Sequence, residues 1–229
     1  VCAQSTVFSA VRPGASWTRL PPLPEPHHES WAVWLLARLA DATIIAGYYD
    51  HAVYCLKPGA KKWKRQRVPA DTRCILTGAS AALFVGDYMR FDVHRFASGK
   101  FTRLFRDTSA DGDPRFVLQA PTGVVLIGGE GGRCLRSTNG GKKFTSVSLT
   151  SQTLNDAVAT NDGIFVVGSK GWLGHSTDDG QTFTPIRLST KADLMGVAPV
   201  QGGVLVVGKR VFVLAKQGKR WSTKPLRLS

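Results

Sequence analysis

Five times the chain runs through a short apolar stretch that stops at a glycine: Gly47, Gly86, Gly128, Gly168 and Gly208. These glycines lie 39, 42, 40 and 40 residues apart, and each is followed 13 to 16 residues later by an aromatic: Trp63, Phe101, Phe144, Phe183 and Trp221. A fixed period near 40 with internal landmarks is the mark of a repeat architecture. Such a chain cannot fold around one arbitrary core. Each unit has to satisfy the same internal plan and bury its apolar faces against its neighbours.

Each unit reads as four short strands, here lettered A to D. In the fourth unit A covers 116–120, B 123–127, C 133–136 and D 144–149. The fifth runs 154–159, 164–167, 172–175 and 183–188, and the sixth 194–199, 204–207, 211–215 and 221–225. No stretch of useful length follows a helical period, and the connections are rich in Gly, Pro, Asp, Asn and Ser. The B runs are apolar on both faces, so a B strand must be covered on each side. The D segments alternate, as in Phe144-Thr145-Ser146-Val147-Ser148-Leu149, which suits an outer strand with one wet face. Four-stranded antiparallel sheets stacked face to face around an axis meet both conditions. The expected fold is therefore all-β: a β-propeller of five to six blades, the N-terminal one incomplete.

The expected module boundaries are 1–20 for a half blade, then 31–69, 70–105, 113–149, 153–188 and 190–226, all within one domain over 1–229. Trp17 precedes Trp63 by 46 residues, so residues 1–20 supply only C and D, near 6–11 and 16–20. That half unit packs on a five-bladed ring, forms an incomplete sixth blade, or has its missing strands upstream of Val1.

The 229 residues, 43% hydrophobic, suffice for a substantial core or a ring of small ones. No apolar run approaches the roughly 20 residues of a membrane helix, and no membrane span is expected. The formal net charge is +14 and favours anionic partners. Of the four cysteines, Cys2, Cys55, Cys74 and Cys134, none forms a CxxC pair, so no metal site is expected from them. They read as mostly free, packed thiols, which points to a reducing, cytoplasmic setting. A removed leader remains compatible with a chain that starts at Val1.

Two C–D turns carry a sharper pattern. Ser176-Thr177-Asp178-Asp179-Gly180-Gln181-Thr182-Phe183 reads Ser-x-Asp-x-Gly-x-Thr-Phe, and Ser137-Thr138-Asn139-Gly140-Gly141-Lys142-Lys143-Phe144 has Asn in the Asp place. The Asp or Asn oxygen can accept N–H bonds within the turn, and Ser can add another. Gly141 and Gly180 take a backbone conformation that side chains resist. Phe144 and Phe183 cover the hairpin base. The pattern resembles the Asp-box, or BNR repeat, of sialidases, sortilin-type receptors and the photosystem II assembly factors of the Ycf48 type. Gly168-Ser169-Lys170-Gly171 ahead of His175-Ser176 looks most like the last group. The box is decayed in the other units. The resemblance implies a propeller in which the box residues, Ser137, Asn139, Gly141, Phe144, Ser176, Asp178, Gly180 and Phe183, are structural.

In a propeller the B–C turns and D–A loops share one rim. That rim is expected to present Tyr48, Tyr49, Tyr88 and Trp172 beside Arg90, Arg133, Lys170, Lys209 and Arg210. Rings supply rigid area and Arg a forked donor, which suits a macromolecular surface. The bland alternative is that several of these rings pack between blades.

A sialidase-like resemblance would imply a Tyr–Glu nucleophilic pair, an acidic Asp and three clamping Arg. The chain has only Glu25, Glu29 and Glu130; the first two sit in or beside the Pro-rich stretch 21–28, and Arg133 can simply pair with Glu130. No catalytic residues and no cofactor are assigned. Asp107-x-Ser109-x-Asp111-Gly112-Asp113 imitates half a calcium loop but has Leu118 at the closing position, so it reads as an exposed turn before Pro114. His27-His28-Glu29 is one cluster without a second ligand group. The basic run 61–67 straddles a D strand, where lysines blunt strand-to-strand aggregation or track phosphates. The expected function is a non-catalytic scaffold for an acidic protein partner. A nucleic-acid-binding propeller is the alternative, and a glycoside hydrolase or lectin the second.

Overall fold

The computed structural model describes residues 2–3, 6–9, 16, 18–24, 35–47, 52–68, 72–78, 81–87, 89–109, 112–218 and 220–226. Sheet one holds β1 (Cys2–Ala3), β2 (Thr6–Ser9) and β3 (Thr18–Arg19). Sheet two holds β4 (Leu35–Arg38), β5 (Ile44–Gly47), β6 (Ala52–Leu56) and β7 (Lys64–Arg67). Sheet three holds β8 (Cys74–Thr77), β9 (Ala82–Asp87), β10 (Arg90–Ala97) and β11 (Lys100–Phe105). Sheet four holds β12 (Pro114–Gln119), β13 (Val125–Gly129), β14 (Cys134–Ser137) and β15 (Thr145–Ser146). Sheet five holds β16 (Leu154–Thr160), β17 (Gly163–Gly168), β18 (Leu173–Ser176) and β19 (Thr184–Pro185). Sheet six holds β20 (Leu194–Val200), β21 (Gly203–Gly208), β22 (Val211–Gln217) and β23 (Arg220–Leu226).

Every sheet is an antiparallel meander in chain order. The first strands of successive sheets lie side by side: β4 against β8, β8 against β12, β12 against β16 and β16 against β20. Sheets whose first strands gather inward while their faces stack are the blades of a β-propeller. Five blades are four-stranded. The N-terminal sheet has three strands where two were expected, because Cys2–Ala3 pairs with Thr6–Val7.

The B strands are covered on both faces, as their composition demands. In β13, Val125 and Ile127 pack with Phe91 and Val93 of sheet three, whereas Leu126 turns the other way onto Leu154 and Val166 of sheet five. In β17, Ile164 and Val166 face sheet four, while Phe165 and Val167 join Leu194, Phe212 and Leu214 of sheet six. The period of two sends alternate side chains to opposite neighbours, so one strand serves two cores. Ile45 and Ala46 split the same way: Ile45 packs with Phe84 and Phe96, and Ala46 with Leu23 and Trp63. The Pro-rich stretch is thus partly structural: Leu23 is buried and the Pro21 carbonyl accepts the Trp63 indole N–H at 2.8 Å.

The D segments of sheets four and five are shorter than expected, two residues each instead of six. The C–D turn consumes residues up to the aromatic, and Pro185 has no N–H to give. Single bonds continue the pairing: Val147 N–H to Cys134 O at 2.9 Å, and Ile186 N–H to Leu173 O at 2.8 Å. The C strands begin one residue later than expected, after short 3₁₀ turns at Glu130–Gly132 and Ser169–Gly171.

Candidate functional site

The rim formed by the B–C turns and D–A loops is built by hydrogen bonds between them. Glu130 N–H donates to Asp113 O at 3.1 Å, and Ser169 N–H to Thr153 O at 2.9 Å. Two turns reach the next sheet through a carboxylate. Met89 N–H donates to Asp113 Oδ1 and Lys170 N–H to Asp193 Oδ1, both at 2.9 Å. Met89 and Lys170 share a φ of 56°, and each accepting Asp sits directly before an innermost strand. The carboxylate fixes a left-handed turn residue that a β-region backbone could not present.

Beside this lies an ion-pair network. The Arg133 guanidinium donates from both terminal nitrogens to the Asp107 oxygens, each at 2.6 Å, and stacks 4.5 Å from the Phe91 ring centre. Asp107 also accepts from Phe91 N–H at 2.8 Å and from Ser109 Oγ at 3.0 Å. Burial would raise the Asp107 carboxyl, but Arg133 and the N–H donors outweigh it and hold it below the ordinary carboxylate range. Asp113 pairs with Arg73 at 3.2 Å and Glu130 with Arg115 at 2.6 Å. The Arg115 hydrogen bond keeps Glu130 below its ordinary value, hence ionised. The expected Glu130–Arg133 pairing is therefore corrected, because Asp107 offers Arg133 a buried, bidentate site. The half calcium motif departs from the exposed turn expected of it: its first carboxylate, Asp107, is buried and held by a guanidinium, while Asp111 lies outside the described residues.

Lys170 and Trp172 come together in a groove of about 450 Å³ that also takes in Gln152, Ile186 and Arg187. Among the described residues no carboxylate lines it. Lys170 and Arg187 are exposed, while Trp172 is half-buried, lying over Gly174 and packing with the sheet-four and sheet-five core. Trp172 is thus partly the inter-blade ring of the bland alternative. Arg187 was missed because the sequence placed it inside the expected D strand 183–188, whereas the strand ends at Pro185 and leaves Arg187 in the loop that follows. Lys209 and Arg210 stand exposed in the β21–β22 turn, and Arg90 is half-buried at the start of β10. Tyr48, Tyr49 and Tyr88 lie outside the described residues, as do Glu25, His27, His28 and Glu29.

Nearer the axis, three first strands bulge at the same place, between Pro114 and Phe116, Leu154 and Asp156, and Leu194 and Gly196. The bulged residues are Arg115, Asn155 and Met195. Met195 is 60% exposed, and Asn155 Nδ2 donates to Leu194 O at 2.8 Å. A bulge re-aims one side chain without changing the strand's hydrophobic pattern, so nothing in the sequence announces this row.

The opposite face carries the two sharp turns. Asp178 Oδ1 accepts Gln181 N–H at 3.0 Å and Thr182 N–H at 2.9 Å, and Oδ2 accepts Thr182 Oγ at 2.6 Å. Ser176 Oγ accepts Gly180 N–H at 2.8 Å and donates to Asp178 at 2.8 Å. Asn139 repeats this with Lys142 N–H at 3.1 Å, Lys143 N–H at 2.9 Å and Ser137 Oγ at 3.0 Å. Gly180 has φ 75°, and a Cβ there would come within 2.6 Å of Leu126 Cδ1 in the preceding blade. Phe144 of sheet four is buried and meets Phe105 of sheet three with centroids 5.0 Å apart.

No family model matches the chain, and no curated protein matches it in sequence. Solved structures do. Virginiamycin B lyase from Staphylococcus aureus superposes with a TM-score of 0.78 at 14% identity, covering 99% of this chain and 79% of that one. A YCF48 structure bound to D1 peptide superposes with a TM-score of 0.68 at 15% identity, covering 95% and 74%. YCF48 from Cyanidioschyzon merolae does so with 0.65 at 13%, covering 89% and 73%. At these identities the likeness is one of fold. The same scaffold thus carries a lyase in one neighbour and holds a peptide in another.

Proposed function

We propose that this chain is a non-catalytic binding propeller whose B–C rim engages an acidic segment of a protein partner, alone or within a larger assembly. The observation that carries the reading is the groove around Lys170, Trp172 and Arg187, whose described lining holds two cations, a ring and no carboxylate. A ring gives rigid apolar area and the cations give charge complementarity. A neighbour of this fold that holds a peptide is consistent with that use. The chain reads as one domain, its two sharp turns as Asp boxes that latch blades, and its free Cys55, Cys74 and Cys134 as thiols of a reducing, cytoplasmic setting.

A hydrolase reading is disfavoured by the state of Glu130, whose carboxylate is engaged by Arg115 and by Asp113 N–H at 3.2 Å. Turnover of fluorogenic glycosides abolished by Glu130→Gln would overturn the non-enzyme reading. The decisive experiment is capture of partners from native extract, with and without nuclease, by wild type and by Lys170→Glu/Arg187→Glu. A protein partner is expected to persist after nuclease and to be lost with the double variant. A capture that disappears with nuclease and leaves no protein would replace this reading with nucleic-acid binding through the +14 surface.

A further inference from the structure

The A–B and C–D turns form the face opposite the candidate rim, and sheets two and three open there into a second cavity. It measures about 480 Å³, within the range of small-molecule sites. Its walls are apolar, from Leu39 and Ala40 in one turn, Ala60 in the next and Phe96 and Ala97 at the end of β10. Lys57, Lys62 and Lys64 line it too, all exposed. Lys64 and Gln66 reach it from alternate positions of β7, so the outer strand of the blade is one wall. The one carboxylate among the described lining residues, Asp41, accepts Thr43 N–H at 2.9 Å. That bond keeps its carboxyl below the ordinary value, so it stays charged. Three lysines against one aspartate leave the described lining at +2.

We infer that this cleft binds a small organic anion with an apolar body, of the class of medium-chain or aromatic carboxylates and sulfonates. The apolar walls would take the body and the lysines the head group, since ammonium groups on flexible stems adapt to a point charge. The basic run 61–67 then has a use beyond edge protection: Lys62 and Lys64 meet the ligand, while Arg65 and Arg67 remain exposed on the strand. The cleft is separate from the Lys170 groove, so this inference and the proposed function stand or fall independently.

The probes are anilinonaphthalene sulfonate, read by fluorescence, and decanoate as its competitor. Saturable one-to-one binding is expected in the wild type, with decanoate displacing the dye and decanol displacing it at least tenfold less well. Lys62→Glu/Lys64→Glu should weaken binding at least tenfold. Lys142→Glu/Lys143→Glu changes the net charge equally on exposed residues outside the cleft and should leave binding unchanged. Ala97→Trp, which fills the cavity, should abolish it, with circular dichroism reporting that the sheets persist. Binding that fails to saturate, decanol competing as well as decanoate, or equal losses in both lysine pairs would each overturn the inference.

Discussion

Arg133 and Asp107 show how far a residue's role depends on its partner. On the chain they are 26 positions apart, and nothing local links them. In the fold Asp107 is 3% exposed and receives both arms of the guanidinium. Arg133→Ala would leave that carboxylate buried without its counter-charge, and should cost about 3–5 kcal/mol, read from urea unfolding. The pH dependence has a definite sign. Asp107 has a depressed carboxyl in the folded state, so its contribution is present above the unfolded value near ~3.9 and is lost as pH falls through the folded one. The gap between wild type and variant should therefore narrow in acid. Asp178 makes a second residue-scale case. Its burial is outweighed by the hydrogen bonds from Thr182, Ser176 and Gln181, and its carboxyl is held down to about 2. Asn139 makes the equivalent backbone bonds without a charge. Asp178→Asn should thus change stability by less than about 1 kcal/mol, while Asp178→Ala should cost about 1–2 kcal/mol, and a thermal melt distinguishes them. The sequence made the donors and acceptors of this turn legible because all of them lie within seven residues. It could not do so for Arg133, whose partner is set by the D–A loop of another blade.

Turns and strands occupy the next scale. Gly59 and Gly132 have φ values of 74° and 75°, but around Gly59 there is open space, whereas a Cβ on Gly132 would overlap the Thr150 carbonyl oxygen. Gly59→Ala should cost only the left-handed penalty of about 1–2 kcal/mol. Gly132→Ala should cost clearly more, because the obstacle is backbone and cannot rotate away; paired urea titrations test the difference. Strand identity was readable from composition, as the two-faced apolar B runs show. Strand ends were less so. The outer strands of sheets four and five shrank because the C–D turn and Pro185 withdraw residues from pairing, and the N-terminal sheet gained Cys2–Ala3. The bulges that present Arg115, Asn155 and Met195 left no trace in the hydrophobic pattern.

At the scale of the molecule, stability is divided among cores shared by neighbouring blades. Phe165 is fully buried, belongs to sheet five and packs against sheet six, with the Trp221 ring 4.9 Å away edge-on. Phe165→Ala should destabilise by about 3–5 kcal/mol and loosen both blades together, which hydrogen exchange would show as joint loss of protection in β17 and β21. The proposed partner should bind with an affinity that falls as salt rises, since its recognition rests on exposed cations. The period, the apolar B runs and the closing aromatics determined by themselves that this chain stacks four-stranded sheets, because each is a local demand repeated every forty residues. Which cations stay exposed and which are drawn into pairs, and where clefts open between blades, was decided only by the tertiary structure. Those outcomes depend on distances between blades, and a repeat pattern carries no record of what its neighbour places opposite.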